Sequence, residues 1–449
     1  MARTLIIDCN DKIGETVTIS GWVQVRRDHG KIGFLDVADR TGTIQVFCTK
    51  ENLGDIRPQD VVEITGTVAA RPERLVNEAL ETGKIELQSE TVKVISKAAE
   101  LPFDLAMKEL DLQLPTLLDF RSLTLRHPKV KAIFEVQAAL LEGFRKACTD
   151  LGCKEIVVPE ISASSTEGGA EVFKVDYYGF PAFMTQSPQL YKQMLVPVFE
   201  RVYTIAHAYR AEPSVTTRHL SVSTQMDFEI GFADFKDLLD YIEKIAFEMF
   251  KHAEDKSEKQ LEMFGVDKIA FGKAVRLTLR EVQEIIFKEY GRDSRTEKDL
   301  APQDEIDICK WALQNHNTDF VIVTHYPTAK RAFYTKPDSE NPEYSLSYDI
   351  LFRGLEILSG SQRINDYDEL VKVIKERKMD PKDFEMYLQA FKYGMPEEGG
   401  GSFGLERLTM LLLKLGNVRE ASLYPRDMER VDVRLSTLKT AEASSSRKK

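Results

Sequence analysis

Three arginines, two of them eight residues apart and the third nearly two hundred residues further on, each stand within two residues of an acid or a histidine. They lie in Arg210-Ala211-Glu212, in Thr217-Arg218-His219-Leu220, and in Gly404-Leu405-Glu406-Arg407, which closes a glycine run beginning at Gly399. A guanidinium stays charged at any working pH and offers a planar fork of donors, so several forks gather in one place only where an anion is brought to them. A triphosphate is such an anion. Read as a strand, Arg210-Ala211-Glu212 puts Arg210 and Glu212 on one face, where Glu212 accepts from an exocyclic amine and Arg210 holds a phosphoryl oxygen. The glycine run reads as a turn. A lone Arg-x-Glu is more often a weak surface ion pair, so only the ordered set of three points to a bound anion.

Other elements must hold these groups in place. Ile133, Val136, Leu140, Phe144 and Ala147 recur at spacings of 3, 4, 4 and 3, an amphipathic helix, and Glu155-Ile156-Val157-Val158-Pro159 then reads as a buried strand. After Asp227, two helical stretches (237–259 and 279–290) precede the apolar strand Phe320-Val321-Ile322-Val323-Thr324. Near the N-terminus, five short strands with turn residues between them fall in 15–94, the pattern of a small Greek-key barrel such as the OB-fold. Such barrels bind single-stranded nucleic acid on an exposed face by stacking bases on aromatic rings. The fold class expected is therefore α+β: a five-stranded OB-fold barrel, then a catalytic domain built on an antiparallel sheet flanked by helices.

Composition agrees with a large soluble enzyme. The 449 residues are 43% apolar and 30% charged, enough for two or three domains. No run of eighteen apolar residues occurs and the N-terminus lacks the marks of a signal peptide, so no membrane span and a cytoplasmic location are expected. Five scattered cysteines without Cys-x-x-Cys spacing argue against a disulfide framework and against zinc. A net charge of −11 does not exclude a nucleic-acid partner, because clustered bases such as Arg26-Arg27 create a local positive face.

The segment from Phe199 through Arg210-Ala211-Glu212 to Glu229 resembles motif 2 of the class II aminoacyl-tRNA synthetases, and Gly400 to Leu408 resembles motif 3. The helix and strand ending at Pro159 stand where motif 1 would. Gly21-Trp22-Val23, Arg26-Arg27-Asp28-His29-Gly30, Phe34 and Thr43-Ile44-Gln45 are similar to the anticodon barrel of the aspartyl, asparaginyl and lysyl enzymes. Thr166 to Glu171, Gln186 to Gln193 and Gly354 to Arg363 resemble segments of aspartyl-tRNA synthetases as a group, in the shorter, archaeal-type architecture.

The resemblance implies ATP-dependent attachment of L-aspartate to tRNA-Asp through an aspartyl-adenylate, and it leaves open whether tRNA-Asn is charged too. Arg210 and Arg407 would be catalytic. Glu167, Gln189 and Asp227 would receive the α-ammonium, while Lys192 and Arg363 would take the side-chain carboxylate. A neutral carboxamide would leave both cations unpaired, a penalty of several kcal/mol, on the order of a thousandfold in selection. ATP would meet Arg210, Glu212, Arg218, His219, Leu220, Glu356, Gly404 and Arg407, and Mg2+ would be held by Asp349, Glu356 and Ser359. Anticodon contacts would fall to Arg26, Arg27, Phe34, Gln45 and Glu86, and motif 1 would build a homodimer.

The domains expected are an anticodon barrel at 1–100, a hinge at 101–127 and a catalytic domain at 128–435. That catalytic domain would carry a helical insertion at 254–318, and a disordered tail would follow at 436–449. The chain departs from the family's pattern at Val37-Ala38-Asp39, where an arginine is usual, at Ser402 for glycine, at Asn365 for histidine, and at Val222-Ser223 in the motif 2 loop. Rival readings are an asparaginyl enzyme, a non-catalytic tRNA-binding paralogue, and an ammonia-dependent asparagine synthetase, which would lack the barrel.

Overall fold

Residues 2–163, 171–212 and 216–438 are described by the computed structural model. The chain divides into two compact units, Met1–Gln113 and Leu114–Lys449.

In the first unit β1 (Thr16–Asp28), β2 (Ile32–Ala38), β3 (Thr43–Thr49), β4 (Val61–Ala70) and β5 (Ile85–Ser96) close into a barrel in the order β1-β2-β3-β5-β4. Alternation of side chains along each strand builds its interior: Ile19, Leu35, Val37, Ile44, Val46, Val62, Ile64 and Leu87 are fully buried. The pairing of β4 with β5 shifts between Thr65 and Gly66, and a Cβ at Gly66 would lie 2.2 Å from the Gln88 carbonyl oxygen. Glycine is required where the barrel wall bends this tightly.

The second unit is built on an eight-stranded sheet. Its strands are β6 (Lys154–Glu155), then β10 (Arg201–Tyr209) and β11 (Val222–Gly231), and then β12 (Val275–Thr278) through β16 (Glu398–Gly404). Between β12 and β16 come β13 (Phe320–Thr324), β14 (Ser347–Phe352) and β15 (Leu355–Gln362), and the spatial order is β12-β13-β14-β15-β16-β11-β10-β6. Only the outermost pairs, β12 with β13 and β10 with β6, are parallel. Three short strands, β7 (Ile161–Ser162), β8 (Lys174–Tyr177) and β9 (Phe180–Met184), form a separate small sheet.

One face of the large sheet is apolar. Met226, Phe228, Phe403, Leu358 and Ile350 meet helices Pro128–Asp150 and Phe235–Lys256 there. The heptad-like spacing noted above does bury Val136, Leu140 and Phe144 completely. Phe144 crosses edge-on to Tyr203 and Phe403 at 5.8 and 6.2 Å. Helix Phe235–Lys256 starts at a capping box between Asp234 and Asp237. The opposite face is polar, and it carries the site.

Five expectations of local structure are corrected. The glycine run is not a turn but β16, a central strand between β15 and β11. Arg210 and Glu212 lie beyond the end of β10 at Tyr209, so strand alternation does not pair them. Glu155 to Pro159 is no buried strand: β6 stops at Glu155 and Val157 is 97% exposed. The stretch 254–318 is not purely helical either, since β12 extends the sheet from within it. Residues 114–127, expected in a hinge, form helices Leu114–Asp119 and Arg121–Thr124 inside the second unit. There the Arg121 guanidinium donates to the carbonyls of Glu420, Ser422 and Leu423. Residues 439–449 of the expected tail lie outside the described residues.

Candidate active site

Register assembles the polar face. Gln225, Asp227 and Glu229 alternate along β11 and pair with Gly404, Ser402 and Gly400 of β16. Ser402 and Gly400 pair in turn with Ser359 and Ser361 of β15, and Ser359 pairs with Asp349 of β14. Period-two alternation would send Glu356 and Ser359 to opposite faces. The β14–β15 pairing shifts between Ile350 and Leu351, making Ile357 an extra residue that returns Glu356 to the face of Asp349.

Lys192, on the helix Gln189–Met194, reaches across this floor with its side chain 1% exposed. Its ammonium donates to Asp227 Oδ1 at 2.7 Å and to the Gly401 carbonyl at 3.2 Å, and it lies 3.2 Å from Glu229 Oε2. Arg363, just past β15, donates from Nε to Glu229 Oε1 at 2.7 Å, and its terminal nitrogens reach Ser361 Oγ at 2.6 Å and the Gly400 carbonyl at 2.8 Å. The glycines of β16 make this possible, since a Cβ at Gly400 would sit 2.1 Å from the Phe228 carbonyl and 2.5 Å from Glu229 Oε2. Gln189 accepts from Arg363 at 3.4 Å, and Ser402 Oγ, in the place of the usual glycine, lies 2.8 Å from Asp227 Oδ2.

Lys192 and Arg363 are therefore not the bare cations that sequence reasoning expected. Asp227 on Lys192 and Glu229, fully buried against both cations, neutralise them, because two unpaired charges at this depth would be prohibitive. Above them opens a cavity of about 250 Å³, lined also by Arg210, Arg331, Ser359 and Tyr334.

Beside this pocket gather the arginines expected to meet phosphate. His219 is held below its ordinary value by burial and by the charges of Arg407, Arg210 and Arg218, which brings all three guanidinium groups to one locality. Arg407, on the helix after β16 whose N-cap is Gly404, is 3.6 Å from Glu356. Glu212 and Leu220 are half-buried on either side of this loop, and residues 213–215 lie outside the described residues, as does Glu167.

Asp349 receives both terminal nitrogens of Arg331, at 3.2 and 2.6 Å, and Arg331 also reaches Ser359 Oγ at 3.1 Å. Burial and the neighbouring Asp349 push Glu356 up to about 8. The same causes push Glu305, on helix Pro302–His316 within the expected insertion, to about 7. Acids this crowded gain from a cation. No group of three or more His, Cys, Asp or Glu converges as a protein-only cage among the described residues. Two carboxylates that leave other positions to phosphate and water suit Mg2+.

The outer face of the barrel forms a second candidate surface. Phe34 and Phe47 pair across β2 and β3, with ring centroids 5.8 Å apart. Around them Arg27 forms a two-pronged pair with Asp36 at 2.7 and 2.6 Å, and Gln45 donates to Glu86 at 3.0 Å. Arg26 is the exception. It pairs with buried Leu35 and spends its guanidinium on the Ile56 and Gly54 carbonyls, so it braces a loop and does not join this face.

Sequence reasoning missed Glu229, Arg331 and Phe47. Glu229 was legible only as the residue two after Asp227 on one strand face, Phe47 as the alternation partner of Gln45, and Arg331 carried no signal.

Residues 113–428 match the family of class II tRNA synthetases (D, K and N), and residues 17–95 match the OB-fold nucleic acid binding domain. The chain belongs to the class II tRNA synthetases of this D, K and N family. It is 38% identical to an aspartate–tRNA(Asp/Asn) ligase of Deinococcus radiodurans, covering 96% of this chain and 99% of that relative. It is 35% identical to the aspartate–tRNA(Asp) ligase of Pyrococcus horikoshii, covering 93% and 96%. Among solved structures it resembles the asparaginyl-tRNA synthetase of Pyrococcus horikoshii complexed with asparaginyl-adenylate, with a TM-score of 0.87 at 29% identity over 96% of this chain and 99% of that one. It also resembles the aspartyl-tRNA synthetase of Entamoeba histolytica, with a TM-score of 0.84 at 29% identity over 96% and 93%.

Proposed function

We infer that the chain is an aspartate–tRNA ligase that activates L-aspartate with ATP and transfers it to tRNA. The observation that carries this reading is the buried set of Lys192, Arg363, Asp227 and Glu229 under a cavity that Arg210 also lines. The α-ammonium of aspartate binds Asp227, with Gln189 and Glu167 orienting it. The side-chain carboxylate takes the outer edges of Lys192 and Arg363, sharing them with Glu229, and a carboxamide forfeits that charge-assisted pairing.

The α-carboxylate then attacks the α-phosphorus of ATP, and pyrophosphate leaves with the electron pair of the broken P–O bond. Arg210 stabilises the charge that develops on the α-phosphoryl oxygens, while Arg218, His219 and Arg407 hold the outer phosphates in line. Glu212 accepts from the adenine amine, with Leu220 and Gly404 framing the nucleotide. Asp349, Glu356 and Ser359 would hold Mg2+, which when bound supplies charge neutralisation to the phosphates. No side-chain nucleophile takes part. The terminal adenosine hydroxyl of tRNA attacks the mixed anhydride, and the barrel reads the anticodon by stacking on Phe34 and Phe47 and through Arg27, Gln45 and Glu86.

A homodimer in the cytoplasm completes the reading. Its support is apolar side chains left in solvent: Val157 of the motif 1 segment is 97% exposed, and Tyr178 and Phe180 at the β8–β9 hairpin are 88% and 73% exposed. Among the described residues, no helix is long and apolar enough to cross a membrane.

The deciding measurement is aspartate-dependent ATP–pyrophosphate exchange. Wild type should exchange with aspartate and not with asparagine, and Arg210→Ala should abolish exchange with its circular dichroism unchanged. Near-normal exchange in that variant ends the proposed phosphate role. Charging purified tRNA-Asp and tRNA-Asn in parallel then fixes the tRNA range.

A further inference from the structure

Behind the amino-acid pocket lies a third carboxyl group that the reaction does not use. Glu398 opens β16 and is fully buried. Gln193 Nε2 donates to its Oε1 at 2.8 Å, and Gln193 Oε1 accepts from Gln189 Nε2 and from the Tyr387 hydroxyl, each at 3.0 Å. Gln189 in turn accepts from Arg363, and Arg363 grips Glu229. The remaining oxygen, Glu398 Oε2, is buried and meets no donor. Glu229 is the neighbouring acid: it pairs with Gly400, two residues along β16 from Glu398, so the two carboxyl groups share one face of adjoining strands, and each bears on the other's titration.

Two carboxyl groups can share a hydrogen bond only when one of them keeps its proton. The charge count says which. Lys192 and Arg363 already balance Asp227 and Glu229, so an ionised Glu398 would be a fifth, uncompensated charge in a site closed to water. With the proton in place, the ring Arg363–Glu229–Glu398–Gln193–Gln189 closes with every member satisfied.

We propose that Glu398 is a positioning residue for aspartate: the hydrogen bond it donates to Glu229 keeps that carboxylate where it holds Arg363 and Lys192 ready for the substrate. The proposal rests on the aspartate reading above. Burial and the adjacent Glu229 hold the Glu398 carboxyl well above the usual carboxylate range, which displaces its deprotonation toward the alkaline side. Facing Glu398 are Glu229 from β11, Arg363 beyond β15, Gln193 from helix Gln189–Met194, Tyr387 from helix Glu385–Lys392 and Tyr348 from β14. Burial raises both tyrosines as well, so they remain neutral. Losing the Glu398 proton sets two anions side by side, and Glu229 withdraws from its cations.

The test is the aspartate KM in pyrophosphate exchange as a function of pH for wild type and Glu398→Gln. The amide donates to Glu229 and accepts from Gln193, so the variant should stay within about threefold of wild type at neutral pH. Wild-type KM should rise more steeply than that of the variant at alkaline pH. The substrate ammonium titrates in both proteins, so the ratio of the two profiles isolates Glu398. Glu398→Leu, which has no donor, should raise the aspartate KM by roughly tenfold or more at neutral pH while leaving the ATP KM unchanged. Parallel alkaline limbs in wild type and Glu398→Gln overturn the proposal. A wild type that shows no aspartate-dependent exchange at any pH overturns the aspartate reading instead.

Discussion

Lys192 shows how a buried charge works by being shared. Its ammonium meets Asp227, Glu229 and the Gly401 carbonyl at once, and only the first of these was anticipated as a site residue. Replacing it with Met leaves two buried carboxylates facing one another with Arg363 alone to compensate. Lys192→Met should therefore cost about 3–5 kcal/mol of stability, read as a lowered urea midpoint, and should erase selection of aspartate over asparagine. An unchanged midpoint would mean that Lys192 is not the keystone of this set. Lys192 and Arg363 were legible from their motifs. Glu229 was not, because an acid two positions along a strand is ordinary until its neighbours are known.

Strand β16 illustrates why a glycine-rich segment misleads. Four glycines in seven residues read as a turn because glycine forms poor strands, yet here the missing side chains make room for Lys192 and Arg363 against the backbone. Gly400→Ala would press a methyl group against the Phe228 carbonyl and Glu229. It should cost about 1–3 kcal/mol and most of the exchange activity, measured by thermal unfolding and pyrophosphate release. Strand β15 makes the converse point. Glu356 and Ser359 share a face only through the extra residue of a bulge, which no pattern of three or seven residues discloses.

The two units rest on separate cores, one inside the barrel and one between the large sheet and its helices. A fragment of residues 1–113 should accordingly unfold cooperatively by circular dichroism, and a non-cooperative melt would contradict that independence. Within the second unit, Asp119 on helix Leu114–Asp119 pairs with Arg434 and Arg430 of the C-terminal segment, which hold its carboxyl below the usual carboxylate range. A lowered folded value means the stabilisation is present above the unfolded carboxylate range and fades as pH falls through the folded one. Asp119→Asn should flatten the acid limb of the melting temperature and leave it unchanged in slope above pH ~6. The exposed Val157 marks where two copies are expected to meet, so Val157→Asp should shift light scattering from dimer to monomer.

Strand alternation in the barrel, the apolar stripe of helix Pro128–Asp150 and the order of the arginine-bearing motifs were all legible in the linear chain, because each depends on neighbours three or four residues away or on a motif read as a unit. The counter-ions were not legible: Glu229 between Lys192 and Arg363, Arg331 on Asp349, and Arg26 drawn off to loop carbonyls. A charge is neutralised by whatever lies within a few ångströms of it in space, and the register of β11, β16, β15 and β14 sets that across nearly two hundred residues of chain.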